Sequence, residues 1–211
     1  MSALGVLGGT FDPVHNGHLR MAMELRDLLS LDAVRLVPVG LPAHRDPPTA
    51  SASARRALLD AAVSGIDGLC VDDRELQRDG PCYTVDTLRA MREEEGDTPL
   101  CLIIGMDQFE ALSSWHEWRS ILDLAHLCVV HRPGIIIPQH GEVAEVLAER
   151  QVTGPGRLHE RPAGYIFVGA LPVLDISSTR IRALLSRRQD PSFLLPQAVL
   201  NIIHAERIYD E

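Results

Sequence analysis

Cysteine is sparse in this chain and unpaired in pattern. Cys70, Cys82, Cys101 and Cys128 are scattered with no C-x-x-C, which excludes a zinc ribbon or a disulfide framework. Three of the four lie in or beside apolar runs and read as buried thiols in a reducing cytosol. Long apolar runs are missing too. None approaches the roughly 18 residues of a membrane span, and the first residues lack the basic segment followed by an apolar stretch of a secretory signal. A cytoplasmic protein is expected. Positive charge is also in short supply: the net charge is −9 and the pI about 5.4, so no general attraction to DNA, RNA or an anionic membrane is expected. There is no G-x-x-x-x-G-K-[ST] loop, no internal repeat and no low-complexity segment. What remains is an ordinary globular composition, 45% hydrophobic and 23% charged over 211 residues. That length fits one domain, 1–211, burying about 70% of its unfolded surface.

Short apolar strands alternate with amphipathic helices. Strands are expected at Leu4–Leu7, Ala33–Val39, Leu69–Val71, Leu100–Ile104, Leu127–Val130 and Tyr165–Val168. Helices are expected at His18–Ser30, Ser53–Ser64, Val85–Glu95, Trp118–Ala125, Glu142–Arg150, Thr179–Arg187 and Gln197–Ala205. The alternation predicts an α/β fold, a Rossmann-like, doubly wound parallel sheet of five to six strands with helices on both faces. Ligands of such sheets sit at the carboxyl ends of the strands. The Pro- and Gly-punctuated stretch 133–164 reads as a surface excursion, and 177–211 as a C-terminal helical segment.

Two segments face an anion in this reading. The first strand drops into Gly8-Gly9-Thr10-Phe11-Asp12-Pro13, followed by His15 and His18 in the spacing H-x-G-H. Glycines at a strand end let backbone N–H groups approach a phosphate that a Cβ would block. Asn16 is expected to cap the next helix, whose positive end then faces the same anion, with His15 and His18 as donors. A metal pair at His-x-x-His lacks a nearby third ligand. Near the other end, Ile176-Ser177-Ser178-Thr179-Arg180-Ile181-Arg182 opens a helix that Ser177 or Ser178 would cap, leaving first-turn N–H groups for an anion. Arg180 and Arg182, two apart, point to different faces and do not share one role.

The string G-G-T-F-D-P-x-H-x-G-H resembles the signature of the HxGH nucleotidyltransferases, and I-S-S-T-x-I-R completes the adenylyltransferase pattern. Further segments narrow the likeness: Pro38–Arg45, Pro81–Leu88, Ile103–Asp107, Ser114–His116 and His131–Pro133. In this order and spacing they resemble bacterial nicotinate-nucleotide adenylyltransferases over nearly the whole chain. That resemblance implies adenylyl transfer from ATP to nicotinate mononucleotide, with Mg²⁺ accompanying ATP and no metal ligand from the protein. It implies His15, His18 and Arg182 as catalytic residues, Arg182 serving the leaving pyrophosphate. Gly8, Gly9, Thr10, Phe11, Gly105, Asp107, Arg132, Ile176, Ser177, Ser178 and Thr179 are implied at ATP, Asp107 at its ribose. His44 and Arg45 are implied at the phosphates. Tyr83, Thr84, Trp115 and His116 are implied around the nicotinate, Trp115 stacking on the ring and backbone N–H groups near Thr84 and His116 holding its carboxylate. A flat electron-poor ring suits an aromatic face and a carboxylate suits convergent donors; a neutral amide gains less, so the acid should be preferred. The chain departs from the pattern at His131, where many relatives carry another basic residue, and at P-A-H-R in place of the common P-P-H-[RK].

Trp118, the only other tryptophan, reads as core, as does Arg180 as a solvated residue. Other readings remain open at this point: an adenylyltransferase acting on the amide mononucleotide or on both, or a non-catalytic nucleotide sensor with the same fold. A phosphopantetheine acceptor is disfavoured by Trp115 and Tyr83-Thr84. A tRNA synthetase fragment would need a lysine-rich second motif and a basic RNA face, and neither is here.

Overall fold

Period-two alternation decides how the sheet is buried. In the first strand Val6 points into one apolar cluster and Leu7 into another. In the strand beside it Leu102 and Ile104 join the first cluster, Cys101 and Ile103 the second. A sheet buried on both faces must be covered by helices on both, and it is. The structure is a computed structural model that describes residues 3–42, 46–131, 137–171 and 174–210.

The strands of the main sheet are β1 (Leu4–Gly9), β2 (Ala33–Pro38), β4 (Leu69–Val71), β6 (Leu100–Gly105), β7 (His126–His131), β8 (Gln151–Val152) and β9 (Ile166–Ala170). They pair in the order β4-β2-β1-β6-β7-β9-β8, every neighbour parallel. A separate two-stranded ribbon joins β3 (Leu41–Pro42) to β5 (Pro81–Cys82). Helices α1 (Asn16–Leu28), α2 (Ala52–Val63), α7 (Ser178–Ser186) and α8 (Gln197–Glu206) bring Leu25, Leu58, Ile181 and Val199 onto one face. Helices α3 (Thr84–Glu95), α4 (Met106–Glu110), α5 (Trp118–Leu124) and α6 (Glu142–Arg150) bring Leu88, Phe109, Ile121 and Leu147 onto the other. Each fully buried leucine among these contributes about 1.5–3 kcal/mol through area removed from water.

The doubly wound parallel sheet is as expected, but among the described residues it has seven strands rather than five to six. The extra strand, β8, is two residues long and polar at Gln151, so no apolar run announces it; it lies at the sheet edge, paired only to β9. It sits within the stretch read as an excursion. Helix starts also differ. Asn16 does not cap α1: His15 holds the cap position with extended backbone, and Asn16 is the first helical residue. Its amide side chain instead donates to the Phe193 carbonyl at 2.8 Å, and its N–H to the Leu194 carbonyl at 2.9 Å. Of the cysteines, Cys82, Cys101 and Cys128 are buried, whereas Cys70 is exposed on the edge strand β4.

The sheet order reverses at β1, whose two neighbours, β2 and β6, run off to either side. The crevice beyond the carboxyl ends of these strands is where ligands of such folds bind.

Candidate active site

Both anion-facing segments arrive in this crevice and touch. Ser178 Oγ donates to the Pro13 carbonyl at 2.9 Å, and the Arg182 guanidinium donates to the Asp12 carbonyl and lies 3.6 Å from the Asp12 carboxylate. Ile176 approaches Gly17 closely enough that a β-carbon there would be 3.6 Å from it. Ser177 is the N-cap of α7, accepting from the Arg180 N–H at 3.2 Å, as the sequence suggested. The remaining first-turn N–H groups have no intrahelical acceptor. Arg182 is half-buried and turned to the site, whereas Arg180 is exposed.

The two histidines form a stacked pair, ring centroids 3.7 Å apart. His18 Nδ1 accepts the His15 backbone N–H at 3.3 Å, which leaves the His18 ring proton on Nε2. His15 is buried, and its Nδ1 has no partner among the described residues. Gly17 makes room for this ring: a β-carbon there would lie 3.0 Å from His15 Nδ1. Burial lowers the pKa of His15 to about 4. Burial, then the neighbouring His15, lowers that of His18 to about 3. Both rings are therefore neutral at pH 7 and each offers one N–H. Phe11 backs them with its ring edge-on to His18 at 4.9 Å. Its side chain is core, and its backbone sits in the left-handed region at φ 49°, a strained conformation held by its surroundings.

A cavity of about 200 Å³ opens at the end of β1, walled by Gly8, Gly9 and Thr10 and by Tyr83, Thr84, Trp115 and His116; neither His15 nor His18 lines it. A β-carbon on Gly8 would meet nothing within 4 Å, so the strand end is open to an incoming group. Thr84 is the first residue of α3, whose dipole end faces the cavity. Trp115 ends a 3₁₀ turn, Leu112–Ser114, half-buried against the apolar cluster on that face. Tyr83 and His116 rings meet at 4.5 Å. Trp118 is buried, as expected of core, with Arg119 over its outer face at 4.4 Å.

Asp107 stands just past β6. Gly105 caps α4, so Asp107 is not the cap; it lies in the first turn, exposed, its Oδ1 2.5 Å from where a β-carbon on Gly105 would be. His44, Arg45 and Arg132 lie outside the described residues. His131 ends β7.

Several supporting residues escaped the sequence reading. Asp12 is buried and accepts from Thr49 N–H at 2.8 Å, Ala50 N–H at 3.0 Å and the Tyr209 hydroxyl at 2.7 Å. Arg55, buried in α2, donates to the carbonyls of Thr10 at 2.9 Å and Val39 at 2.8 Å, fixing the ends of the two strands that bound the crevice. Burial, resisted by Asp12 and Tyr209, lowers its pKa. Glu75 lines the cavity and accepts from Thr87 Oγ1 at 2.6 Å; burial raises its pKa. Asp12 stood inside the quoted motif and was a legible signal. Arg55 is one of two adjacent arginines, and nothing local says which is inside.

Residues 6–184 match the family described as Cytidylyltransferase-like, the class to which a parallel sheet carrying this pair of helix starts conforms. A Methylococcus capsulatus protein named a probable nicotinate-nucleotide adenylyltransferase is 46% identical over 207 residues, covering 98% of this chain and 99% of that one. An Aeromonas salmonicida protein of the same name is 46% identical over 206 residues, covering 98% and 96%. The chain belongs to the nicotinate-nucleotide adenylyltransferase family. In fold it is similar to the Plasmodium falciparum nicotinic acid mononucleotide adenylyltransferase solved with NaAD, at a TM-score of 0.74 and 15% identity, covering 100% of this chain and 98% of that one.

Proposed function

We infer that the chain transfers the adenylyl group of ATP to nicotinate mononucleotide, giving nicotinate adenine dinucleotide and pyrophosphate. The observation that carries this reading is the joining of two anion-facing helix starts, through Ser178–Pro13 and Arg182–Asp12, beside a cavity bearing Trp115.

The mononucleotide's 5′-phosphate is ionised at neutral pH and needs no general base. One of its oxygens attacks the α-phosphorus of ATP, and the bond from that phosphorus to the oxygen bridging to the β-phosphate breaks. Catalysis then rests on alignment and on neutralising charge in the transition state. In this reading His18 Nε2–H and the His15 ring donate to α-phosphate oxygens. Arg182 and the first turn of α7 suit the β- and γ-phosphates, with His44 and Arg45 proposed beside them and Arg132 near the adenosine. Asp107 suits the ATP ribose hydroxyls. The donors gathered at the phosphates are neutral or cationic, so Mg²⁺ accompanying ATP would be held by phosphate and water.

Trp115 offers a face to the pyridine ring, and first-turn N–H groups at Thr84 with the backbone at His116 suit its carboxylate. A cytoplasmic setting suits four free thiols. Among the described residues no helix is long and apolar enough to cross a membrane.

Pyrophosphate release from ATP and Mg²⁺ in the presence of nicotinate mononucleotide or its amide tests the reading. Strong release with the acid and little with the amide is expected. Equal release would discard the carboxylate contacts, and no release from folded, ATP-binding protein would discard the acceptor.

A further inference from the structure

The chain has no lysine, so every fixed cationic side chain is one of its 20 arginines. Most of those described are matched to carboxylates or carbonyls. Arg150, Arg161, Arg180, Arg187 and Arg188 have no such partner among the described residues, and the first two of these converge. Arg150 ends α6, and Arg161 lies in the loop before β9. A β-carbon built on Gly164 would be 2.9 Å from Arg161 Nη2, 3.3 Å from the Leu122 carbonyl oxygen and 3.4 Å from Arg150 Nη1. Neither guanidinium has an ion-pair partner among the described residues. Both positive charges thus approach the same side of Gly164, an arrangement that a bound anion would favour.

The surroundings make this a built site. Arg150, Arg157, Arg161 and Tyr165 line a hollow of about 590 Å³ at the amino-terminal ends of β8 and β9, at the opposite end of the strands from the proposed active site. The Arg161 guanidinium lies 3.7 Å over the Tyr165 ring and that of Arg157 5.2 Å over it. Arg157 also donates to the Tyr165 hydroxyl at 2.9 Å and is paired with Glu160 at 2.8 Å. The ring itself is held from behind. His126 stacks on it at 5.5 Å, accepts the Tyr165 N–H at 3.0 Å on Nδ1, and bonds the Arg161 carbonyl at 2.9 Å through Nε2. Glu149 lines the hollow but comes within ion-pair distance of no arginine among the described residues.

We propose that this hollow binds a pyrophosphate-type anion, two phosphoryl groups joined through a bridging oxygen, free or as part of a nucleotide. Planar guanidinium forks suit phosphoryl oxygens bidentately, and the space exceeds what a single phosphate fills. The site is separate from the catalytic one and does not depend on the proposed reaction.

The test uses the ¹⁵N-labelled full chain titrated with sodium pyrophosphate, ATP or inorganic phosphate, following the backbone amides of Gly164 and Tyr165. Saturable shifts of both with pyrophosphate are expected, weakened roughly tenfold in Arg150→Gln and in Arg161→Gln, the size of one lost charge-assisted contact. The rate of adenylyl transfer from ATP should be unchanged in both variants. Tighter saturation by ATP than by inorganic pyrophosphate would assign the anion to a nucleotide, and the reverse to the free ion. Shifts confined to residues around His15 and His18, or non-saturating shifts that persist in both variants, would overturn the proposal.

Discussion

Tyr209 donates its hydroxyl to Oδ1 of Asp12 at 2.7 Å, a contact between residues 197 apart in sequence. The same carboxylate is held by the N–H groups of Thr49 and Ala50 and lies beside Arg182. One buried charge thus unites the H-x-G-H loop, the α2 entry, α7 and the last described turn. Tyr209→Phe removes one bond from a buried carboxylate that keeps its others, and a loss of about 1–3 kcal/mol in urea denaturation is expected. Because Arg182 also leans on Asp12, KM for ATP should rise more than kcat falls.

His18→Ala removes the donor whose free N–H faces the proposed α-phosphate. A fall in turnover of about 10²–10³, with near-native stability, is the scale of one lost transition-state donor. A loss under tenfold in the folded variant would take His18 out of that role.

Gly40 cannot accept a side chain. A β-carbon there would lie 2.2 Å from the Glu75 carbonyl oxygen and 3.0 Å from Cys82 Sγ, and the first of these is backbone. Gly40→Ala should cost about 1–3 kcal/mol, the range of overpacking. It should also weaken mononucleotide binding, since the displaced segment carries the β3–β5 ribbon and the Tyr83 wall of the cavity. Urea denaturation and KM for the mononucleotide read the two effects separately.

Acid should destabilise the free protein before its carboxylates titrate. Burial sets the folded pKa of His126 at about 4, as it does for His15, and burial with its neighbour sets His18 at about 3, all below the unfolded value near 6.5. Unfolded chains then bind more protons between these values, so stability is full above about pH 6.5 and falls as pH drops toward 4. For His126 the loss approaches about 3 kcal/mol, because the charged ring would have to be buried. His126→Gln should flatten the dependence of the urea midpoint on pH between 6.5 and 4.5, while lowering its value at pH 7. An equal slope in both proteins would show that His126 titrates alike folded and unfolded.

Most of the sheet was legible because parallel strands buried on both faces are short apolar runs, and β1, β2, β6 and β7 all appear as such. Spacing made part of the motif legible: a serine cap was expected at Ser177 or Ser178, and Ser177 takes it. Two-residue spacing separates the faces of Arg180 and Arg182, but which of the two turns inward came from the family resemblance. What stayed hidden follows from contacts that leave no local trace. Strand β8 is an edge pairing of two residues, and α4 is a single turn after Gly105. The α1 cap went to His15 because its backbone N–H bonds the His18 ring, while Asn16 is occupied by the Phe193 carbonyl. Arg55 and Tyr209 act through partners 16 to 197 residues away, which no periodicity reveals.

The buried carboxylate at residue 12 also orders the steps of synthesis. A nascent polypeptide leaving the ribosome presents Asp12, His15 and His18 well before Arg182 and Tyr209. Until then the phosphate cradle lacks its second half, and such long-range closures come late in folding. A growing chain should therefore be unable to hold ATP as the mature protein does, and nucleotide binding should mark the moment at which the two distant parts of the polypeptide have met.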